Sequence, residues 1–223
     1  MSWTNVQCPV VRTKQGVAIP RRVETLRILA NEFMKGQFVD LYRKLKRVPQ
    51  IMLLKDISAI TAITGINSKS LVVDAGAGSG ALACFMANIC KKVVSYEIRK
   101  DFSELARQNA EKMGLKNITI KNRDIHKGIS EKNVDLITLD VPEPWKAIRH
   151  AAKALKENGF LVSYSPQMTQ SIRFVKEVGR SKKLRSIKTL EVFWREWVID
   201  EKRARPQHTA IVHTGFLSFA RKI

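Results

Sequence analysis

Cysteine is scarce in this chain. Cys8, Cys84 and Cys90 are odd in number and form no Cys-x-x-Cys pair, which argues against a disulfide framework or a zinc site. No metal is expected. Long apolar runs are missing as well. Nothing approaches the roughly 18 residues that a membrane span needs, and Met1-Ser2-Trp3 does not begin a signal peptide. The expected location is therefore cytoplasmic, with no membrane partner. No internal repeat or low-complexity tract interrupts the 223 residues, a length that can bury one α/β core with a small appendage.

Acidic side chains are the last shortage. Against 40 Lys+Arg stand only 20 Asp+Glu, a net charge of +20. The excess is uneven: residues 1–50 carry +7, residues 51–170 carry +5 and residues 171–223 carry +8. A basic surface concentrated at both ends favours a phosphate-rich partner through counterion release, and nucleic acid fits better than a merely solvated lysine surface.

The stretch that organises the rest is Ser70-Leu71-Val72-Val73-Asp74-Ala75-Gly76-Ala77-Gly78-Ser79-Gly80-Ala81-Leu82. An apolar run gives way to alternating glycines and then to Ala, Leu, Phe and Met, the pattern of strand, tight loop and helix. Glycine there lets the backbone turn through positive φ and lets a ligand approach it closely. The helix that follows offers unpaired N–H groups to that ligand. Gly76 to Ala81 also satisfies the relaxed dinucleotide pattern, so the loop alone leaves a nicotinamide cofactor open. Glu97 ends the next strand 17 residues after Gly80, where an acid would grip ribose hydroxyls in either kind of cofactor.

Beyond the loop, apolar and helical patterns alternate. Strands are expected near 71–75, 93–97, 118–122, 134–140 and 159–164, with helices near 81–89, 101–113, 144–156 and 167–179. This is a parallel sheet whose ligands bind beyond the strands' carboxyl ends. Asp74, Glu97, Asp124 and Asp140 fall at four consecutive strand ends. One such acid is easily a helix cap, whereas four in succession point to a site. Residues 190–198 and 209–219 then alternate in strand fashion around a charged turn at 200–206, which predicts an antiparallel hairpin closing the sheet. Residues 1–45 have no strong period and read as a short N-terminal module or arm, with the main domain at 46–223.

A mostly parallel sheet ending in such a hairpin is the arrangement of class I S-adenosylmethionine-dependent methyltransferases, a Rossmann-like α/β fold. The chain resembles the tRNA (adenine-58-N1)-methyltransferase family, particularly its archaeal type. The carrying segments are Arg47-Val48-Pro49-Gln50-Ile51 with Lys55-Asp56, the Asp74–Leu82 loop, Val94-Ser95-Tyr96-Glu97, Leu139-Asp140-Val141-Pro142-Glu143-Pro144-Trp145, and Arg205-Pro206 through His213-Thr214-Gly215-Phe216-Leu217.

That resemblance implies S-adenosyl-L-methionine as cofactor, tRNA as substrate and partner, and transfer to adenine N1 at position 58 of the T-loop, with the neighbouring purine at 57 a second target. It implies that the backbone of Gly76, Gly78, Ser79, Gly80 and Ala81 cradles the methionine part. Glu97 would hold the ribose, Asp124 and Ile125 would contact the adenine, Met52 would touch the cofactor, and Asp140 would be the catalytic aspartate beside it. Gln50, Leu53 and Trp145 are the corresponding substrate-side positions, with Trp145 open to two readings, stacking on a flipped base or packing under the following helix. A homotetramer is implied too.

The family carries Tyr or His and then Pro before its Lys-Asp pair; this chain has Leu53 and Leu54. Its N-terminal module is also shorter than the family's β-rich domain. Two other function classes are weighed against this one. A non-catalytic RNA-binding subunit would tolerate an eroded loop or a lost Asp140, and both are intact. A small-molecule methyltransferase would have no use for the basic ends.

Overall fold

The computed structural model describes residues 10–12, 18–20, 37–47, 51–209 and 211–223. The chain divides into two compact units, Met1–Lys44 and Leu45–Ile223. In the first, β1 (Val10–Arg12) pairs antiparallel with β2 (Ala18–Pro20). Helix α1 (Phe38–Arg43) follows, and it brings the Phe38 and Tyr42 rings, four residues apart, to within 5.8 Å.

The second unit holds a seven-stranded sheet in the order β5-β4-β3-β6-β7-β11-β8. Its strands are β3 (Leu71–Ala75), β4 (Lys92–Glu97), β5 (Ile118–Asn122), β6 (Val134–Leu139), β7 (Leu155–Ser165), β8 (Leu184–Leu190) and β11 (Phe216–Lys222). β3 to β7 run parallel, while β11 lies antiparallel between β7 and β8. Strand order reverses between β3 and β6. A crevice opens at the carboxyl ends there because the flanking connections leave to opposite sides.

The helices follow from local sequence. α2 (Leu54–Thr64) stops at Gly65, whose φ of 63° supplies the left-handed cap. α3 (Ala81–Ile89) is built of Ala, Leu, Cys and Met and is buried along most of its length. α4 (Lys100–Lys112) is amphipathic, burying Ser103, Ala106, Asn109 and Ala110. α5 (Ile148–Ala154) and α6 (Met168–Arg180) pack Ile148, Ala151, Phe174 and Val178 into one core with β3, β6 and β7.

Two expected boundaries are corrected. The segment near 144–156, expected as one helix, is a 3₁₀ turn over Pro144–Ala147 followed by the short α5. β7 already begins at Leu155, because Asn158 takes a positive φ of 63° and the register with β6 shifts there. The closing hairpin is also displaced. Its first strand is β8, with Leu190 opposite Leu217, rather than residues 190–198. The aromatic stretch instead forms β9 (Trp197–Ile199), which pairs with β10 (Ala204–Pro206) as a separate ribbon.

One buried cluster explains why Lys55-Asp56 and the Thr214-Gly215 tail share a structural fate. Lys55 Nζ, 3% exposed, donates to Asp56 Oδ1 at 2.9 Å, to the Val192 carbonyl at 2.7 Å and to Thr214 Oγ1 at 2.6 Å. The Thr214 hydroxyl in turn donates to Asp56 Oδ2 at 2.8 Å. Gly215 follows because a Cβ would lie 2.6 Å from the Tyr164 ring. Lys55→Met should therefore cost about 3–5 kcal/mol in a urea titration, since it strands the buried Asp56 carboxylate; a cost below about 1 kcal/mol would show that the cluster contributes little.

Candidate functional site

A cleft of about 600 Å³ lies at the carboxyl ends of β3, β4 and β6, with the 3₁₀ turn after β5 on its wall. Its floor is backbone. Gly76 at φ 83° sits so close to β6 that a Cβ would fall 1.9 Å from the Asp140 carbonyl oxygen. Any other residue there must push the strands apart. Both Gly76 N–H and Ala77 N–H donate to the Tyr96 carbonyl, at 3.0 and 3.2 Å, while Asp140 N–H donates to the Ala75 carbonyl at 2.8 Å. The end of β3 is thus clasped from both sides.

Glu97 fixes the next turn of the loop. Its Oε2 accepts from Gly78 N–H and its Oε1 from Arg99 N–H, each at 2.9 Å. The carboxylate is buried yet lines the cleft, and each oxygen retains a lone pair for a further donor. Gly80 starts α3 with φ 78°, and a Cβ there would come 3.0 Å from the Cβ of Ala106. Ser79 is buried, and its carbonyl accepts from Asn109 Nδ2 at 2.8 Å. That amide also donates to the Lys46 carbonyl at 2.9 Å, so Asn109 ties the loop to the segment before α2. A buried Asn on the apolar face of α4 is the signal by which sequence reading could have found it.

Three carboxylates converge beneath and beside this floor. Asp74 is buried and accepts from Ser95 Oγ at 2.6 Å and Thr138 Oγ1 at 2.8 Å; desolvation nevertheless holds its pKa above the usual carboxylate value. Asp140, half-buried in the cleft wall, has no side-chain hydrogen bond among the described residues. Burial first, and then the charges of Asp74 and Glu97, push its carboxyl up to about 7. The cleft consequently favours a cationic ligand beside Asp140 and a hydrogen-bond donor aimed at it.

The remaining expected positions divide. Asp124 caps the 3₁₀ turn, accepting from His126 N–H at 2.9 Å, and Asp124 and the buried Ile125 both line the cleft. Ser79, Gly80 and Ala81 are buried and are not among the cleft-lining residues. Met52 is buried and Leu53 half-buried at the start of α2, and neither is among the cleft-lining residues. Trp145 packs against the core, with the Arg173 guanidinium 4.1 Å from its ring centroid, and also lies outside the cleft. Gln50 falls outside the described residues. Lining residues that the sequence reading missed are Phe102, Arg123 and Gln170, along with Arg99, whose guanidinium stacks 3.6 Å from the Phe102 ring centroid. Gln170 Nε2 donates to the Pro142 carbonyl at 3.1 Å and so holds the Asp140 loop to α6.

Comparison with known proteins places this arrangement. Residues 43–204 match the family model described as the tRNA methyltransferase complex GCD14 subunit. The tRNA (adenine(57)-N(1)/adenine(58)-N(1))-methyltransferase TrmI of Methanocaldococcus jannaschii is 35% identical over 215 residues, spanning 82% of this chain and 75% of that protein. A solved S-adenosylmethionine-dependent O-methyltransferase from Thermotoga maritima superposes with a TM-score of 0.79 at 31% identity, covering 97% of this chain and 78% of that one. The tRNA (m1A58) methyltransferase TrmI of Aquifex aeolicus superposes with a TM-score of 0.78 at 25% identity, over 84% of this chain and 76% of that one.

Two expectations follow from the geometry. Gly76→Ala should weaken S-adenosylhomocysteine binding about tenfold or more by calorimetry, because positive φ alone costs about 1–3 kcal/mol and the Asp140 carbonyl must also move. A native Kd would contradict the close approach. For Asp140, the native carboxyl holds its proton up to about 7 while the unfolded one releases it near its ordinary value of 3.8. The native state binds more protons across that interval, so the group's ionisation costs stability as pH rises through it. Asp140→Asn should accordingly raise the Tm at pH 8 relative to wild type and lose that advantage at pH 4.

Proposed function

Because the chain belongs to the tRNA methyltransferase complex GCD14 subunit family, whose fold and cofactor it shares, we propose that it methylates N1 of adenine in the tRNA T-loop. The target is position 58, with 57 as a second target in the manner of the M. jannaschii relative. The observation that carries the reading is the Asp140 carboxylate, unpartnered among the described residues in the cleft wall against the glycine floor.

S-adenosylmethionine supplies an electrophilic methyl group on a sulfonium centre. The residues present fit that group: Gly76 and Gly78, at φ 83° and 52°, turn the backbone where they line the cleft, and Glu97 offers anchored acceptors for two ribose hydroxyls. Asp124 and Ile125 line the wall where the adenine of the cofactor would rest. Met52 acts from beneath, through the packing of the segment before α2.

Adenine N1 carries a lone pair, so the reaction needs no strong base. Asp140 accepts a hydrogen bond from the exocyclic amine of the target base, which turns N1 toward the reacting methyl. As positive charge develops on the ring, the same carboxylate stabilises it. Trp145, beside the Asp140 loop in sequence, packs against the core with the Arg173 guanidinium over its ring. Gln50 and Leu53 belong to the substrate side of the same reading.

RNA binding draws on the +20 net charge. A homotetramer in the cytoplasm completes the proposal. The exposed Trp194, Trp197, Ile199 and Ile211 around the β9–β10 ribbon support assembly, being an apolar patch without cover in the described chain. One observation favours a second reading, a non-catalytic RNA-binding subunit: Leu53 stands where the family's aromatic would hold the base. The intact floor and Asp140 weigh against it.

Labelled methyl transfer from S-adenosylmethionine to tRNA transcripts tests the proposal, with adenines 57 and 58 replaced singly and together. Label that vanishes only in the double or the 58 replacement supports it. Absence of transfer to any transcript, with cofactor binding intact, moves the protein to the second reading. In the active enzyme kcat/KM should climb with pH through about 7, since ionised Asp140 is the stronger acceptor for the amine and alone carries the charge that stabilises the developing cation. Asp140→Asn should abolish that limb and lower kcat about 10²–10³-fold.

A further inference from the structure

A second cavity, of about 420 Å³, lies between α5 and α6 beyond the Asp140 loop. Five cations and one carboxylate line it: Lys146, Arg149, Lys153, Arg180, Lys183 and Glu177. Lys146 is paired with Glu143, and Arg180 with Glu177. Arg149, Lys153 and Lys183 are exposed and have no carboxylate partner among the described residues. Three like charges without compensation around one groove repel one another, an arrangement that an anionic ligand relieves.

The groove is also aligned with the cleft. Lys146, Arg149 and Lys153 are spaced by three and four residues and so share one face of their turn and helix. On α6, Gln170, Arg173, Glu177 and Arg180 repeat the same spacing. Gln170 lines the cleft, Arg173 covers Trp145, and Glu177 and Arg180 line the groove. At 1.5 Å per residue, Gln170 and Arg180 are about 15 Å apart along the helix. One basic track therefore runs from the Asp140 loop outward for the length of a few nucleotides.

We infer that this groove holds the phosphate backbone of the RNA strand flanking the target base. The inference rests on the tRNA reading above and adds to it where the strand lies: along α6, gripped by Arg149, Lys153 and Lys183, while Gln170 and the Asp140 loop receive the base. The contacts are to phosphate, so they set position and affinity and carry no sequence preference.

The test is the salt dependence of binding of an unmodified tRNA transcript. The triple variant Arg149→Gln/Lys153→Gln/Lys183→Gln is compared with Lys91→Gln/Lys92→Gln/Lys116→Gln. The second set neutralises three exposed lysines at the amino ends of β4 and β5, away from the cleft. Each lost phosphate contact removes about 0.7–0.9 from the log–log slope. The groove variant should lose about 2 or more from the slope, with unchanged S-adenosylhomocysteine affinity and Tm, and the control should keep the wild-type slope. A groove variant with the wild-type slope, or a control that loses as much, overturns the groove. A wild-type protein that binds tRNA with no salt dependence, or not at all, overturns the tRNA reading itself.

Discussion

The approach of Gly76 to the Asp140 carbonyl is the constraint on which the site depends. Two parallel strands can come this close at their carboxyl ends only if one of them lacks a Cβ there. Once they do, the order of events along the chain is set. The Tyr96 carbonyl takes two loop N–H groups, Glu97 takes a third, and the loop is left with its concave side open. The carboxyl group of Asp140 is then held at the rim by its own backbone rather than by side-chain partners. It remains available for chemistry because no side chain among the described residues uses it.

Such a site is electrostatically costly before anything binds. Among the described residues, hydroxyls donate to the Asp74 carboxylate and backbone amides to that of Glu97, while Asp140 receives neither. The third carboxyl bears the repulsion of the other two and of its own desolvation. Pre-existing repulsion among fixed groups is a common way to make a site discriminate by charge, and here the discrimination favours a cation adjoining a hydrogen-bond donor.

Much of this was legible in the sequence because it is local. The glycine loop, the strand-end acids and the alternation of elements all follow from patterns within about fifteen residues, and the family motifs lie on them. What escaped reading is either non-local or lacks an apolar signature. Lys55 and Thr214 are 159 residues apart, so no spacing announces their hydrogen bond. β8, Leu-Arg-Ser-Ile-Lys-Thr-Leu, is an edge strand exposed on both faces through most of its length and so shows no alternation. The aromatic stretch beyond it alternates well but is an exposed ribbon. The expected hairpin was drawn toward the apolar signal and away from the true strand. Trp145 illustrates the same limit: its residue type suits stacking on a base and packing under a helix equally, and only the fold brings the Arg173 guanidinium over its ring.

The position of β11 has a consequence for how the chain reaches this state. Among the described residues it is the last strand of the sheet in chain order, yet it lies inside the sheet, with β7 on one side and β8 on the other. Until residues 214–222 emerge, β7 has an open edge, β8 has no neighbour, and the buried lysine of α2 lacks its hydroxyl partner. The sheet therefore cannot be accreted strand by strand as the ribosome delivers it. Its final cooperative closure waits on contacts of long sequence separation, which are slow to form. The unsealed edge in the interval is a template for mispairing. A nascent chain of this fold thus keeps an unsealed sheet edge until β11 has been made and inserted.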